Sequence, residues 1–104
     1  MPSESRTLTF SNAEVIEALE LFSDQAQRPL PEGGVKRLVF SNEREVKVTV
    51  EPNNGDTVMH FYEHEIAAAL ILYCNKHGIP VARRAIKSLQ VAQDVVVLQL
   101  ALRS

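Results

Sequence analysis

The chain has 104 residues, is 45% hydrophobic and 23% charged, carries a formal net charge of −2 and contains one cysteine. These proportions describe a single ordinary globular domain over residues 1–104, with enough apolar residues for a core, and they exclude both a disordered chain and a disulfide-stapled scaffold. The run from Ile66 to Cys74 is too short to span a bilayer, and Met1-Pro-Ser-Glu-Ser-Arg6 lacks the order of a secretory signal, so a cytoplasmic protein with no membrane partner is expected.

In chain order, Leu8 and Phe10 alternate with Thr7 and Thr9, the period of a half-buried strand. Ser11 and Glu14 then have capping-box spacing. Val15, Ala18, Leu19 and Phe22 follow at helical spacing, with Glu17, Glu20 and Asp24 on the opposite face. Pro29-Leu-Pro31 ends that helix, and Val35–Phe40 with Val46–Glu51 reads as a hairpin across residues 41–45. Pro52-Asn-Asn-Gly-Asp56 is a connector. The series then recurs: a strand at Val58–Phe61, a helix at about Tyr62–His77, and strands at Ala85–Val91 and Val95–Leu102 with Gln93-Asp94 at the turn.

This recurrence extends to identities. An offset of 51 places Phe10–Phe40 on Phe61–Val91 without a gap and matches eight of 31 positions, among them Phe10/Phe61, Pro29/Pro80 and Lys36/Lys87. Chance would give roughly two. Shortening the second copy by one residue aligns Val46, Val48 and Val50 with Val96, Leu98 and Leu100. The expectation is an α+β domain of two β-α-β-β repeats (about 6–51 and 57–102, linker 52–56): six mostly antiparallel strands with two helices packed on one face. Whether the strands form one sheet or two stays open.

Departures of one repeat from the other mark candidate sites. Glu17 and Glu20 become Ala68 and Ile71, so the second helix is apolar nearly all round and either buries deeply or forms an interface. Ala68 and Ile71 are the candidate contacts of a homodimer. The closing strand shifts likewise, with Val95, Val97 and Ala101 where the first copy has Lys47, Thr49 and Glu51. Residues 1–55 are net −3 and residues 56–104 net +1, with Arg83, Arg84 and Lys87 grouped in the second half. Such cations suit an anionic ligand or protein partner. Nucleic acid is the alternative partner at the same three residues; it is not favoured by a pI of about 5.9.

Other motifs carry less. His60-Phe-Tyr-Glu63-His64 has the H-x-x-E-H spacing of a zinc hydrolase, but the repeat puts His60 on a strand and His64 in a helical first turn, so the imidazoles share no helical face. Cys74 falls in the apolar series of its helix, as expected of an inert thiol, with His77 three residues on. No phosphate loop or nucleophile elbow occurs, and no catalytic residue, cofactor or metal is expected. The stretch Tyr73-Cys-Asn-Lys-His-Gly-Ile-Pro-Val-Ala-Arg-Arg-Ala-Ile-Lys-Ser-Leu89 resembles the carboxyl-terminal part of small bacterial proteins of uncharacterised function that carry I-P-x-x-R-x-A-x-K-S-L. The resemblance implies a bacterial, cytoplasmic protein and no particular chemistry. A non-enzymatic binding or regulatory protein is the resulting expectation.

Overall fold

The computed structural model describes residues 4–55, 57–82, 85–92 and 95–102. Its elements run β1 (Glu4–Phe10), α1 (Asn12–Ala26), β2 (Val35–Asn42), β3 (Val46–Pro52), β4 (Met59–Tyr62), α2 (Glu63–Lys76), β5 (Ile86–Ala92) and β6 (Val95–Leu102). The Gln93-Asp94 turn expected from the sequence lies outside the described residues. Among the described residues, no helix is long and apolar enough to cross a membrane.

Both helices start where their carboxylates dictate. Ser11 Oγ accepts from the Glu14 N–H while Glu14 Oε1 accepts from the Ser11 N–H at 2.9 Å, a complete capping box. At α2 the Tyr62 N–H donates to Glu65 Oε1 at 3.0 Å and the Glu63 N–H to Glu45 Oε1. Their ends also correspond. Gln27 at φ 56° closes α1, and Gly78 at φ 71°, 51 residues later, follows α2. Glycine meets that left-handed turn without a Cβ clash, whereas Gln27 adopts it under strain.

The strands are antiparallel and form two three-stranded sheets, β1-β6-β5 and β2-β3-β4. Each sheet takes a hairpin from one half of the chain and a single strand from the other: β1 pairs with β6, and β4 pairs with β3. The α+β architecture with two helices therefore stands as read from the sequence. One alignment is corrected. Phe10 and Val91 both face Val96, whereas Phe61 and Phe40 both face Val48. With Phe10/Phe61 and Phe40/Val91 as counterparts, Val96 therefore matches Val48, not Val46. The second hairpin spans five residues from Val91 to Val96 against eight from Phe40 to Val48, so it is three shorter rather than one. Hydrophobic alternation alone cannot see this, because a slip of two residues keeps every side chain on its own face.

The core lies between the helices and the inner sheet faces: Val15, Ala18 and Leu19 of α1, Ile66, Ala69 and Leu70 of α2, Val46, Val48 and Val50 of β3, and Val96 and Leu98 of β6. Two edge-to-face aromatic pairs join sheets to helices, Phe10 with Tyr73 and Phe22 with Phe61. Polar contacts lace the seam between the helices in opposite directions along them: Tyr73 OH donates to Glu14, His77 and Lys76 meet Glu17, and Arg28 pairs with Glu65. One buried group is orphaned. Ser23, at the position of Cys74 in the second half, has a hydroxyl without a hydrogen-bond partner among the described residues.

The two outer sheet faces differ in charge. Across β5, β6 and β1 the outward rows read Ile86–Ala101–Ser5, Ser88–Gln99–Thr7 and Gln90–Val97–Thr9, with Ala92 beside Val95. None of these side chains is charged, and Ile86 is 62% exposed. The outer face of β2-β3-β4 instead carries Arg37, Lys47, Glu51 and His60, with Arg37 Nε on Glu51 at 2.9 Å.

Candidate functional site: a cationic cleft beside the α2–β5 crossover

The period-2 alternation that points Leu8 and Phe10 inward also sets Arg6 on the inner side of β1. Its row continues through Leu100 to Lys87, so the β1-β6-β5 sheet ends in two cations flanking a leucine on its inner face. Here α2 has already stopped, at Lys76, and residues 78–82 and 85 belong to the crossover that leads to β5. Between crossover and sheet end lies a cleft of about 460 Å³ lined by Arg6, Asn75, Pro80, Val81, Ala82, Ala85 and Leu100. Arg6 Nη1 donates to the Pro80 carbonyl at 2.7 Å, which anchors the guanidinium against the crossover.

The electrostatics of the cleft are one-sided. Among the described residues, none that lines it carries a carboxylate. Arg6 makes no salt bridge and no other hydrogen bond among the described residues, leaving most of its five N–H donors for a ligand. Lys87, read from sequence as part of a surface cluster, is instead half-buried on the inner row and donates from Nζ to the Ala85 carbonyl at 3.0 Å. Arg83 and Arg84 lie outside the described residues; their chain neighbours Ala82 and Ala85 both line the cleft. Sequence reasoning missed Arg6. Its signal was a cation in phase with the buried residues of its own strand.

Ala68 and Ile71 come out half-buried on α2, facing away from Ile66, Ala69, Leu70 and Tyr73. Exposed His64 and Asn75 bound that stripe, which makes it short. The histidines serve separate purposes. His60 Nδ1 lies 3.1 Å from Thr49 Oγ1 on the outer sheet face, and Glu63 Oε1 accepts from the Val46 N–H at 2.9 Å, spending its carboxylate on the backbone. Among the described residues, no group of three or more His, Cys, Asp and Glu side chains is placed to hold a metal ion. Burial pushes the Cys74 thiol above its ordinary range, with the nearby Arg6 charge opposing more weakly. A protonated, buried thiol is a poor nucleophile, and His77 is engaged with Glu17 and the Tyr73 ring rather than poised as its base.

Comparison with protein-family models, with curated proteins and with solved structures finds no match to this chain. The functional reading therefore rests on geometry.

Proposed function

We propose that the protein is a non-enzymatic binding protein that receives an anionic group in the cleft between the α2–β5 crossover and the end of the β1-β6-β5 sheet. One observation carries this reading: a guanidinium held by a single backbone carbonyl, without a carboxylate partner among the described residues, at a largely apolar cleft of about 460 Å³. Ligand sites are commonly clefts of that size with a few convergent polar groups. Arg83 and Arg84, the cations expected from the sequence to receive an anion, lie between Ala82 and Ala85 in the chain, and Lys87 stands on the inner row. The test is an amide chemical-shift titration with small anions and with amines of matching size. Anions are expected to move the resonances of residues 6, 75, 80–82, 85 and 100 while amines leave them still. Shifts elsewhere, or none, remove the reading. A nucleic-acid partner at the same cations would instead bind at low ionic strength and weaken steeply with added salt.

Self-association is a second part of this reading, with a second copy of the chain as the occupant of the outer face of β1-β6-β5, whose side chains are uncharged among the described residues. At a two-fold interface residue i meets j and j meets i, so a neutral face closes on its own copy without desolvating charges that must each find a partner. The β2-β3-β4 face, with Arg37, Lys47 and Glu51, lacks that property. Light scattering is expected to give twice the monomer mass. Val97→Glu should return the protein to monomer, whereas Ile71→Glu should leave the mass unchanged. The reverse pattern returns the interface to Ala68 and Ile71 on α2, and a monomeric unsubstituted chain removes self-association.

A further inference from the structure

Arg6 and the walls around it specify more than a negative charge. We infer that the cleft takes a small monocarboxylate with an apolar body, its carboxylate on Arg6 and its hydrocarbon along Val81, Ala82, Ala85 and Leu100; the inference rests on the anion-binding reading of the same cleft. Guanidinium geometry supplies the first half. Nη1 is committed to the Pro80 carbonyl, which tethers one side of the group and leaves the Nε–Nη2 edge without a partner among the described residues. Two parallel N–H bonds on one edge match the two oxygens of a carboxylate. Asn75, the other polar residue of the lining among the described residues, offers an amide that donates without adding charge.

The second half comes from what else lines the space. Among the described residues, five of the seven that line it are Pro80, Val81, Ala82, Ala85 and Leu100, all apolar. A bare inorganic anion leaves those walls wet, whereas an aliphatic chain covers them. Each methylene buried there is worth up to about fourfold in affinity, the equivalent of about 0.8 kcal/mol. Affinity should therefore rise with chain length until the cleft is full.

The experiment titrates the full-length protein with acetate, butanoate, hexanoate, hexan-1-ol, hexylamine and inorganic phosphate, reading both affinity and amide shifts. The expected result is a two- to fourfold gain per methylene from acetate to hexanoate, with the alcohol and the amine at least tenfold weaker than hexanoate. Arg6→Gln should weaken hexanoate at least tenfold and bring it near hexanol. Arg6→Lys, which keeps the charge but loses the fork, should fall between; amide spectra of both variants verify that the fold is retained. N-acetyl-leucine is included to separate a peptide carboxyl terminus from a fatty acid as the source of the carboxylate; tighter binding of either one over acetate supports the class, and their order names the source. Phosphate and acetate binding as tightly as hexanoate would overturn the carboxylate inference and leave the anion site standing. If no anion moves the cleft resonances, the site reading itself falls.

Discussion

Phe61→Ala is expected to destabilise the protein by about 3–5 kcal/mol, the range for deleting a fully buried aromatic ring. Phe61 is fully buried on β4, the four-residue edge strand beside β3. Its ring meets Phe22 of α1 edge-on, and the Arg28 guanidinium lies 5.1 Å from its centroid. Arg28 also pairs with Glu65 at 2.8 Å, so the ring sits under a contact that ties the end of α1 to the start of α2. Emptying the site therefore loosens strand, both helices and the ion pair above it. Domains of this length have a total stability of about 5–15 kcal/mol, so the variant should lose roughly 15 °C or more in melting temperature. Phe61→Leu, which refills most of the volume, should recover more than half of that loss. Thermal and urea unfolding check both; a Phe61→Ala protein within about 1 kcal/mol of the unsubstituted chain would mean that the two halves do not meet at this ring.

Glu14→Ala should cost about 1–3 kcal/mol at neutral pH, more than an ordinary surface carboxylate. The side chain accepts two hydrogen bonds, from the Ser11 N–H at 2.9 Å and from the Tyr73 hydroxyl at 3.0 Å, while the Glu14 backbone N–H donates to the Ser11 hydroxyl. Removing it leaves the Tyr73 hydroxyl, itself pushed up by burial and by the adjacent carboxylate, without its acceptor. The same contacts give a pH dependence. The Ser11 backbone N–H, foremost, and then the Ser11 and Tyr73 hydroxyls and the His77 charge hold the Glu14 carboxyl below its ordinary value, against the opposing effect of burial. A hydrogen bond from His77, with the Lys76 charge behind it, lowers Glu17 in the same direction. Between the depressed folded values and the ordinary carboxylate value the unfolded chain binds more protons than the folded one. Stability from these groups is thus complete above the ordinary carboxylate range and is lost as pH falls through the folded values. Urea midpoints between pH 6 and pH 3 should fall for the unsubstituted protein and fall less steeply for Glu14→Gln. Equal slopes would remove Glu14 from the acid response.

Much of the local structure was legible because its causes are local. The Ser11/Glu14 spacing located the start of α1, and the alternation through Val46–Val50 and Val96–Leu100 put those residues inward. The outward set Val95, Val97 and Ala101 was likewise read by parity, and with the strands paired it became one row-by-row neutral surface. Lys87 was singled out for its charge, but its place was not foreseen; its half-buried setting depends on Leu100 beside it and on the Ala85 carbonyl it reaches. Arg6 went unnoticed because a lone arginine before a strand carries no motif. Only its pairing opposite Leu100, from the far end of the chain, makes it part of a cleft.

Taken by itself, the sequence determined six strands, two helices and which side of each is apolar, because hydrophobic period and capping chemistry act over a few residues. The recurrence of β-α-β-β order was legible too, and a left-handed residue follows each helix, Gln27 after α1 and Gly78 after α2. The tertiary structure decided the exchange of single strands between halves, the three-residue difference between the hairpins and the meeting of Arg6 with the α2–β5 crossover. Ladder hydrogen bonds join backbone groups that every residue shares, so partner and register are chosen by how the whole core closes rather than by any local pattern.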